Sequence, residues 1–311
     1  VRLGTLLGLV ACNLVWAAHP TMGKLVLADF PPVYAAWLRY SSALAAYMIA
    51  VAALRRARPA LRPALARPFA APAGTGLALV ALMGFLTFCF SPLLQLSGLE
   101  ASQATDNALI IAIEPLMTVM CAWVFVGEAI SLAHAAAFAV ALGGFALLTG
   151  VSGGGFSGGF DPHMAGNLVM LISLVGEASY STIGRKLLGR GLPAMGIFGT
   201  SLFAGAAFLS LATLGYALTT RTPFGHFTAA SVLGILWLGP LGTSATYLFW
   251  ALALREATIA SLSLTLFIQP VFGSILGHFL LGDHLSGVQA AGGALILAAV
   301  AAQTVVTFGV K

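Results

Sequence analysis

Long apolar runs separated by short polar, glycine-rich or proline-rich breaks fill the chain from end to end. Ten runs approach the ~20 mostly apolar residues that a spanning helix needs. They cover residues 3–27, 33–54, 74–98, 102–126, 132–150, 164–188, 194–217, 228–253, 258–281 and 286–308. A backbone in hydrocarbon must satisfy its own hydrogen bonds, and runs this long exclude barrel strands. The pattern therefore predicts an all-α membrane protein with ten transmembrane helices. The breaks carry stop signals: Asp29-Phe30-Pro31-Pro32, the proline- and arginine-rich stretch 55–72, and the glycine-rich stretch 150–162. The first run mimics a leader peptide, but Asn13, Trp16, His19 and Pro20 interrupt it, and it reads as a retained first helix.

Two stretches of the pattern repeat. Residues 109–131 read LIIAIEPLMTVMCAWVFVGEAIS and residues 264–286 read LTLFIQPVFGSILGHFLLGDHLS. Leu109, Ile113, Pro115, Gly127 and Ser131 recur at Leu264, Ile268, Pro270, Gly282 and Ser286, each 155 residues later. Glu114 becomes Gln269, and Glu128 becomes Asp283. The expectation is one five-helix unit written twice, as 1–150 and 164–311, around a glycine-rich linker at 151–163.

Composition agrees with the pattern. Hydrophobic residues are 59% and charged residues 7%, against roughly 25% charged in soluble domains, so the lipid bilayer is the expected surroundings. The net charge of +5 is not a nucleic-acid signal, because the basic residues cluster in a few short loops. With the N-terminus in the cytoplasm, Arg2, Arg55, Arg56, Arg58, Arg62, Arg67, Arg185, Lys186, Arg190, Arg255 and Lys311 all fall inside, eleven of the fourteen basic residues. Both termini are then cytoplasmic. An odd number of spans per half turns the second half upside down, an arrangement common in secondary transporters. Cys12, Cys89 and Cys121 lie inside apolar runs without metal-ligand spacing, so no metal or other cofactor is expected.

The five-plus-five layout, with ASQAT, Glu114-Pro115 and Gly127-Glu128-Ala129-Ile130-Ser131 in one half and Glu256-Ala257-Thr258, Gln269-Pro270 and Gly282-Asp283 in the other, resembles the drug/metabolite transporter superfamily of EamA type. Asn13, Trp16, Lys24, Pro32 and Arg39 look like that family's opening pattern. The resemblance implies a secondary carrier, typically an exporter of amino acids or other small metabolites. It departs at Gly282-Asp283, where the family often has Gly-Glu.

The candidate residues follow from polarity in the wrong place. Glu114 lies mid-run, where a charge costs at least about 2.5–3.5 kcal/mol, and is a candidate substrate or proton carrier. Pro115 and Pro270 break their helices and free a carbonyl beside Glu114 and Gln269. Helical spacing puts Gln103, Asn107, Glu114 and Thr118 on one face, and Thr258, Thr265 and Gln269 on another. These stripes read as a shared cavity, or as helix-packing hydrogen bonds. Glu177 is a second acid, cavity-lining or structural. Arg39 reads as a substrate carboxylate receptor or, preferably, as the partner of Asp106 or Glu114. His19 lines the cavity or makes a single structural hydrogen bond. Among the aromatic residues, Tyr180 and Tyr247 beside polar faces are better cavity candidates than Phe85, and Trp16 joins them through the family pattern. Lys24 reads as reaching for the interface, as does His278. Gly4-x-x-x-Gly8 and Gly273-x-x-x-Gly277 read as close helix contacts. Gly155-Phe156-Ser157-Gly158-Gly159 matches a nucleophile elbow only formally, since it lies in the glycine-rich linker.

The resulting expectation is a secondary active transporter, not an enzyme. It moves a small-molecule substrate by alternating access around a midplane cavity, with protons as the candidate coupling ion. Alternatives are a nucleotide-sugar or sugar-phosphate carrier, a membrane-embedded enzyme, or a non-transporting helper subunit with a sealed core.

Overall fold

The structure is a computed structural model that describes residues 3–57, 67–69, 74–127, 130–148, 162–253, 265–266 and 268–309. No strand occurs among them. Helices α1 (Leu3–Ala17) and α2 (His19–Leu27) form one apolar stretch, followed by α3 (Pro32–Ala57). Next come α4 (Thr75–Phe85) and α5 (Ser91–Ala101), joined by a π-helical segment at Leu86–Phe90. Then follow α6 (Ala104–Ile111), α7 (Glu114–Val126), α8 (Leu132–Leu148), α9 (Pro162–Gly189) and α10 (Ala194–Thr220). Helices α11 (Ala229–Leu236) and α12 (Thr246–Ala253) flank a second π segment, Trp237–Ala245, and α13 (Ile268–Leu281) and α14 (Gly287–Gly309) end the fold. Five stretches are long and apolar enough to cross a membrane, and the bent pair α6–α7 makes a sixth. Glu128, Thr258 and the linker 151–161 lie outside the described residues, and α9 starts at Pro162, two residues before the expected boundary.

Where 102–126 was expected as one helix, the chain makes two, bent by 48°. Pro115 sits in the first turn of α7 and cannot donate to the carbonyl of Ile111. The backbone tightens there into three-residue bonds, Ala112 N to Leu109 O at 3.2 Å and Ile113 N to Ile110 O at 2.9 Å. The bend breaks the expected polar stripe. Asn107 turns to Ser102 Oγ (2.5 Å) and Gln103 O (3.1 Å), while the Thr118 hydroxyl bonds the Glu114 carbonyl at 3.0 Å.

Glycines set the closest approaches between helices. A Cβ on Gly98 would meet Gly166 O at 2.6 Å, and one on Gly166 would meet Gly98 O at 2.7 Å. Gly144 and Gly292 oppose each other in the same way between α8 and α14. Of the expected motifs, Gly273 and Gly277 do pack against Ala108 and Thr105 of α6. Gly4 meets nothing within 4 Å, so in the first motif only Gly8, under Phe249, makes a close contact. Small-residue contacts let van der Waals packing act where lipid supplies no hydrophobic drive.

Helix α3 packs on the Trp237–Ala245 segment, and α10 packs on α4 and the Leu86–Phe90 segment. Helix α1 packs on α13, and α9 on α7. Gly282-Asp283 acts as a cap. Gly282 takes the left-handed conformation (φ +73°), and Asp283 Oδ2 accepts from Thr105 N at 2.9 Å, closing the first turn of α6 from a distant part of the chain.

Candidate functional site

A cavity lies where α1–α2, α3, α5, α9, α12, the α6–α7 break and the start of α13 converge. Eight of the expected residues line it: Trp16, His19, Arg39, Glu114, Glu177, Tyr180, Tyr247 and Gln269. Gln95, Ser181, Trp250, Ile111, Leu174 and Leu266 complete the lining. Asn107 instead lines a neighbouring crevice, which shares His19, Arg39, Gln95 and Ile111 with the cavity. A third space brings Pro115 and Pro270 together with Glu114, Gln269 and Val300. The two prolines and the acid–amide pair thus face one crevice.

The two acids are held differently. Glu177 receives the Tyr247 hydroxyl in a short hydrogen bond and the Ser91 hydroxyl at 3.2 Å. Ser91 follows the π segment Leu86–Phe90, where Pro92 widens the turn. That segment lies on α9 because Gly176 has no side chain: a Cβ there would meet Leu86 O at 2.2 Å. Glu114 has no side-chain hydrogen bond or ion pair among the described residues.

Arg39 pairs with neither Asp106 nor Glu114, against expectation. Asp106 is fully buried and is taken by His163 Nε2 (2.9 Å) and Asn167 Nδ2 (3.0 Å) on α9. Arg39, 2% exposed, donates to Gln95 Oε1 (3.2 Å), Thr243 Oγ1 (3.4 Å) and His19 Nδ1 (3.4 Å). An arginine only donates, so His19 Nδ1 accepts and its proton lies on Nε2. The second π segment shapes this corner. Trp16 Nε1 donates to Gly242 O at 2.9 Å, and a Cβ on Gly242 would meet His19 Nε2 at 2.1 Å. Gln269 donates to Asn13 Oδ1 (2.7 Å), and Asn13 donates to Thr265 Oγ1 (3.0 Å).

One wall is aromatic. Trp16 stands 5.3 Å from Tyr247 and 5.2 Å from Trp250, and Tyr180 meets Tyr247 edge-on at 5.0 Å. Sequence reasoning did not single out Gln95, Thr243 or Gly242. Gln95 carried the signal that marked Gln269, an amide inside an apolar run. Thr243 and Gly242 matter through contacts made across the fold. Lys24 donates to Glu100 O at 3.4 Å, and His278 meets Asp283 O at 2.7 Å, both away from the cavity. No group of three or more His, Cys, Asp or Glu is placed to hold a metal among the described residues.

The sequence profile of the EamA-like transporter family matches residues 2–150 and 164–304. A probable terminal-alkyne amino-acid exporter of Streptantibioticus cattleyicolor is 27% identical over 199 residues, covering 63% of this chain and 63% of that protein. A WAT1-related chloroplastic protein of Arabidopsis thaliana is 23% identical over 212 residues, 68% of this chain and 51% of its own length. The alignments thus span less than two thirds of either relative. A solved structure matches with a TM-score of 0.67 at 21% identity, covering 100% of this chain and 99% of its own, which supports the fold alone. With a profile matching almost the whole length and helices apolar enough for several crossings, the chain belongs to the EamA-like transporter family and is a multi-pass integral membrane protein.

Proposed function

We propose that the protein is a secondary active transporter of a bacterial inner membrane that exports a small amino acid or similar amphipathic metabolite. Two inverted five-helix halves, 1–150 and 164–311, rock about the cavity and open it to each face in turn, ten helices in all. The observation that carries this reading is the cavity itself. Residues from both halves line it, and Glu114 stands in it without a hydrogen-bond or ion-pair partner among the described residues. A helper subunit with a sealed core would have neither feature.

The inverted arrangement is supported by contacts made twice. Under the 155-residue offset, α3 on the Trp237–Ala245 segment corresponds to α10 on the Leu86–Phe90 segment. Likewise α1 on α13 corresponds to α9 on α7. The amino-acid substrate class draws on the exporter relative. Glu114, an acid in the membrane interior, is the proposed proton carrier.

Flux in proteoliposomes under an imposed proton gradient tests this reading, with substrates first chosen by thermal-shift screening of amino acids, polyamines and cationic amphiphiles. Glu114→Gln is expected to abolish gradient-driven transport while leaving the purified protein monodisperse. Unchanged transport with unchanged pH dependence would remove Glu114 from the coupling.

A further inference from the structure

Arg39 is a buried cation with no contact ion pair among the described residues; Glu177, on the same cavity wall, offsets its charge only from a distance. Among the described residues no carboxylate lies within ion-pair distance of Arg39, and its three polar contacts, at 3.2–3.4 Å, are to neutral groups. Charge-assisted bonds to a carboxylate run at about 2.7–2.9 Å, usually two in parallel. Its guanidinium carbon stands 5.0 Å from the Tyr40 ring centre, a contact that spreads the charge without cancelling it. Burying a charge without a counter-charge is expensive. Among the described residues three of the five Arg39 N–H groups are engaged, which leaves two for a ligand.

The cavity is polarised. One end, with Arg39, His19 and Gln95, continues into the crevice that reaches Asn107. The other end, with Glu114 and Gln269, continues into the crevice between the two prolines. Glu177 is committed to Tyr247 and Ser91, so Glu114 is the acid left for a ligand.

We propose that the cavity binds a zwitterion in one orientation, with its carboxylate on Arg39 and its ammonium on Glu114. The proposal rests on the carrier reading for its context, but it is a statement about binding and is tested by binding. The α-carboxylate fits the two free N–H groups of the guanidinium as a bidentate pair. The amide of Gln95 and the hydroxyl of Thr243 position Arg39 without competing for it, because neither carries a charge. Ligands with only one of the two charges leave either Arg39 or Glu114 buried and unpaired, which is where discrimination arises.

The test is calorimetric titration of the full-length protein in nanodiscs with L-leucine and L-phenylalanine, their methyl esters, and their N-acetyl derivatives. The ester lacks the carboxylate, and the acetylated form lacks the ammonium. Wild type is expected to bind a free amino acid at least about tenfold tighter than either derivative, which corresponds to ~1.4 kcal/mol. Arg39→Gln should remove the preference for free acid over ester, and Glu114→Gln the preference for free amine over acetylated form. Arg39→Lys, which keeps the charge but loses the fork, should retain part of the first preference. Equal wild-type affinity for acid and ester overturns the proposal without recourse to any variant. So does an Arg39→Gln protein that weakens acid and ester alike. Wild-type binding of none of the six compounds also overturns it, while the carrier reading then stands or falls on the flux assay.

Discussion

At the scale of single residues, the acids divide by what holds them. Both Glu114 and Glu177 were visible in the sequence as charges inside apolar runs, and both line the cavity. Their difference was not visible, because it depends on α5 and α12 supplying Ser91 and Tyr247 from 86 and 70 residues away. Arg39 was misjudged for the same reason. Of the two acids expected for it, Asp106 is taken by His163 and Asn167, and Glu114 makes no ion pair among the described residues. The contrast makes a direct prediction. Tyr247→Phe deletes the hydroxyl that donates to Glu177 and keeps the ring against Trp16 and Tyr180. A buried acceptor that loses a donor costs about 1–3 kcal/mol. The variant should melt at a lower temperature than wild type in the same detergent, with its far-UV circular dichroism unchanged. An unchanged melting temperature would show that Glu177 is not held through Tyr247.

At the scale of elements, the apolar runs were legible and their irregularities were not. Hydropathy places the helices, and Pro115 announced the break in α6–α7. The π segments left only faint traces, Pro92 and Pro240, because one extra residue per turn does not alter the apolar pattern. Another irregularity is the end of the loop ahead of α11. It is a built cap: the Thr228 and Ser231 side chains and backbones exchange bonds, and the Thr228 hydroxyl also donates to Asp29 in a short contact. Hydrogen bonds from Thr228, then Ser231, hold the Asp29 carboxyl below its ordinary value of 3.8, and His226, 3.4 Å away, adds to the effect. A depressed carboxyl contributes stability above its unfolded value and loses it as pH falls through the folded one. Asp29→Asn should therefore melt below wild type at pH 7. The gap should hold down to about pH 5 and close below 3.8. A gap that stays constant from pH 7 to pH 3 would mean that the carboxylate charge plays no part in the attachment.

At the scale of the molecule, the 155-residue sequence echo was legible in the α7 and α13 stretches, and two loops carry a shorter one. Pro68-Phe69 and Pro223-Phe224 are also 155 residues apart. Each pair is docked on a tyrosine of α3. Tyr47 Oη lies 2.9 Å from Pro68 O and 3.1 Å from Met195 O, with Phe69 edge-on at 5.9 Å. Tyr34 Oη donates to Thr222 O at 3.1 Å, with Phe224 at 5.1 Å and Tyr216 at 5.6 Å. The α3–α10 contact is thus pinned near both ends by loops that share a Pro-Phe pair. If the halves are inverted copies, these are the same latch on opposite faces of the membrane, and loosening one should favour opening to its own side. A Ser181→Cys reporter in the cavity, with Cys12, Cys89 and Cys121 replaced by alanine, reads this out with a membrane-impermeant maleimide applied from either side. Phe224→Ala should raise labelling from outside and Phe69→Ala from the cytoplasm. A bias of about 1 kcal/mol between two states changes their ratio roughly fivefold. Both substitutions raising labelling from the same side would refute the inverted arrangement, because the two Pro-Phe loops would then guard one face.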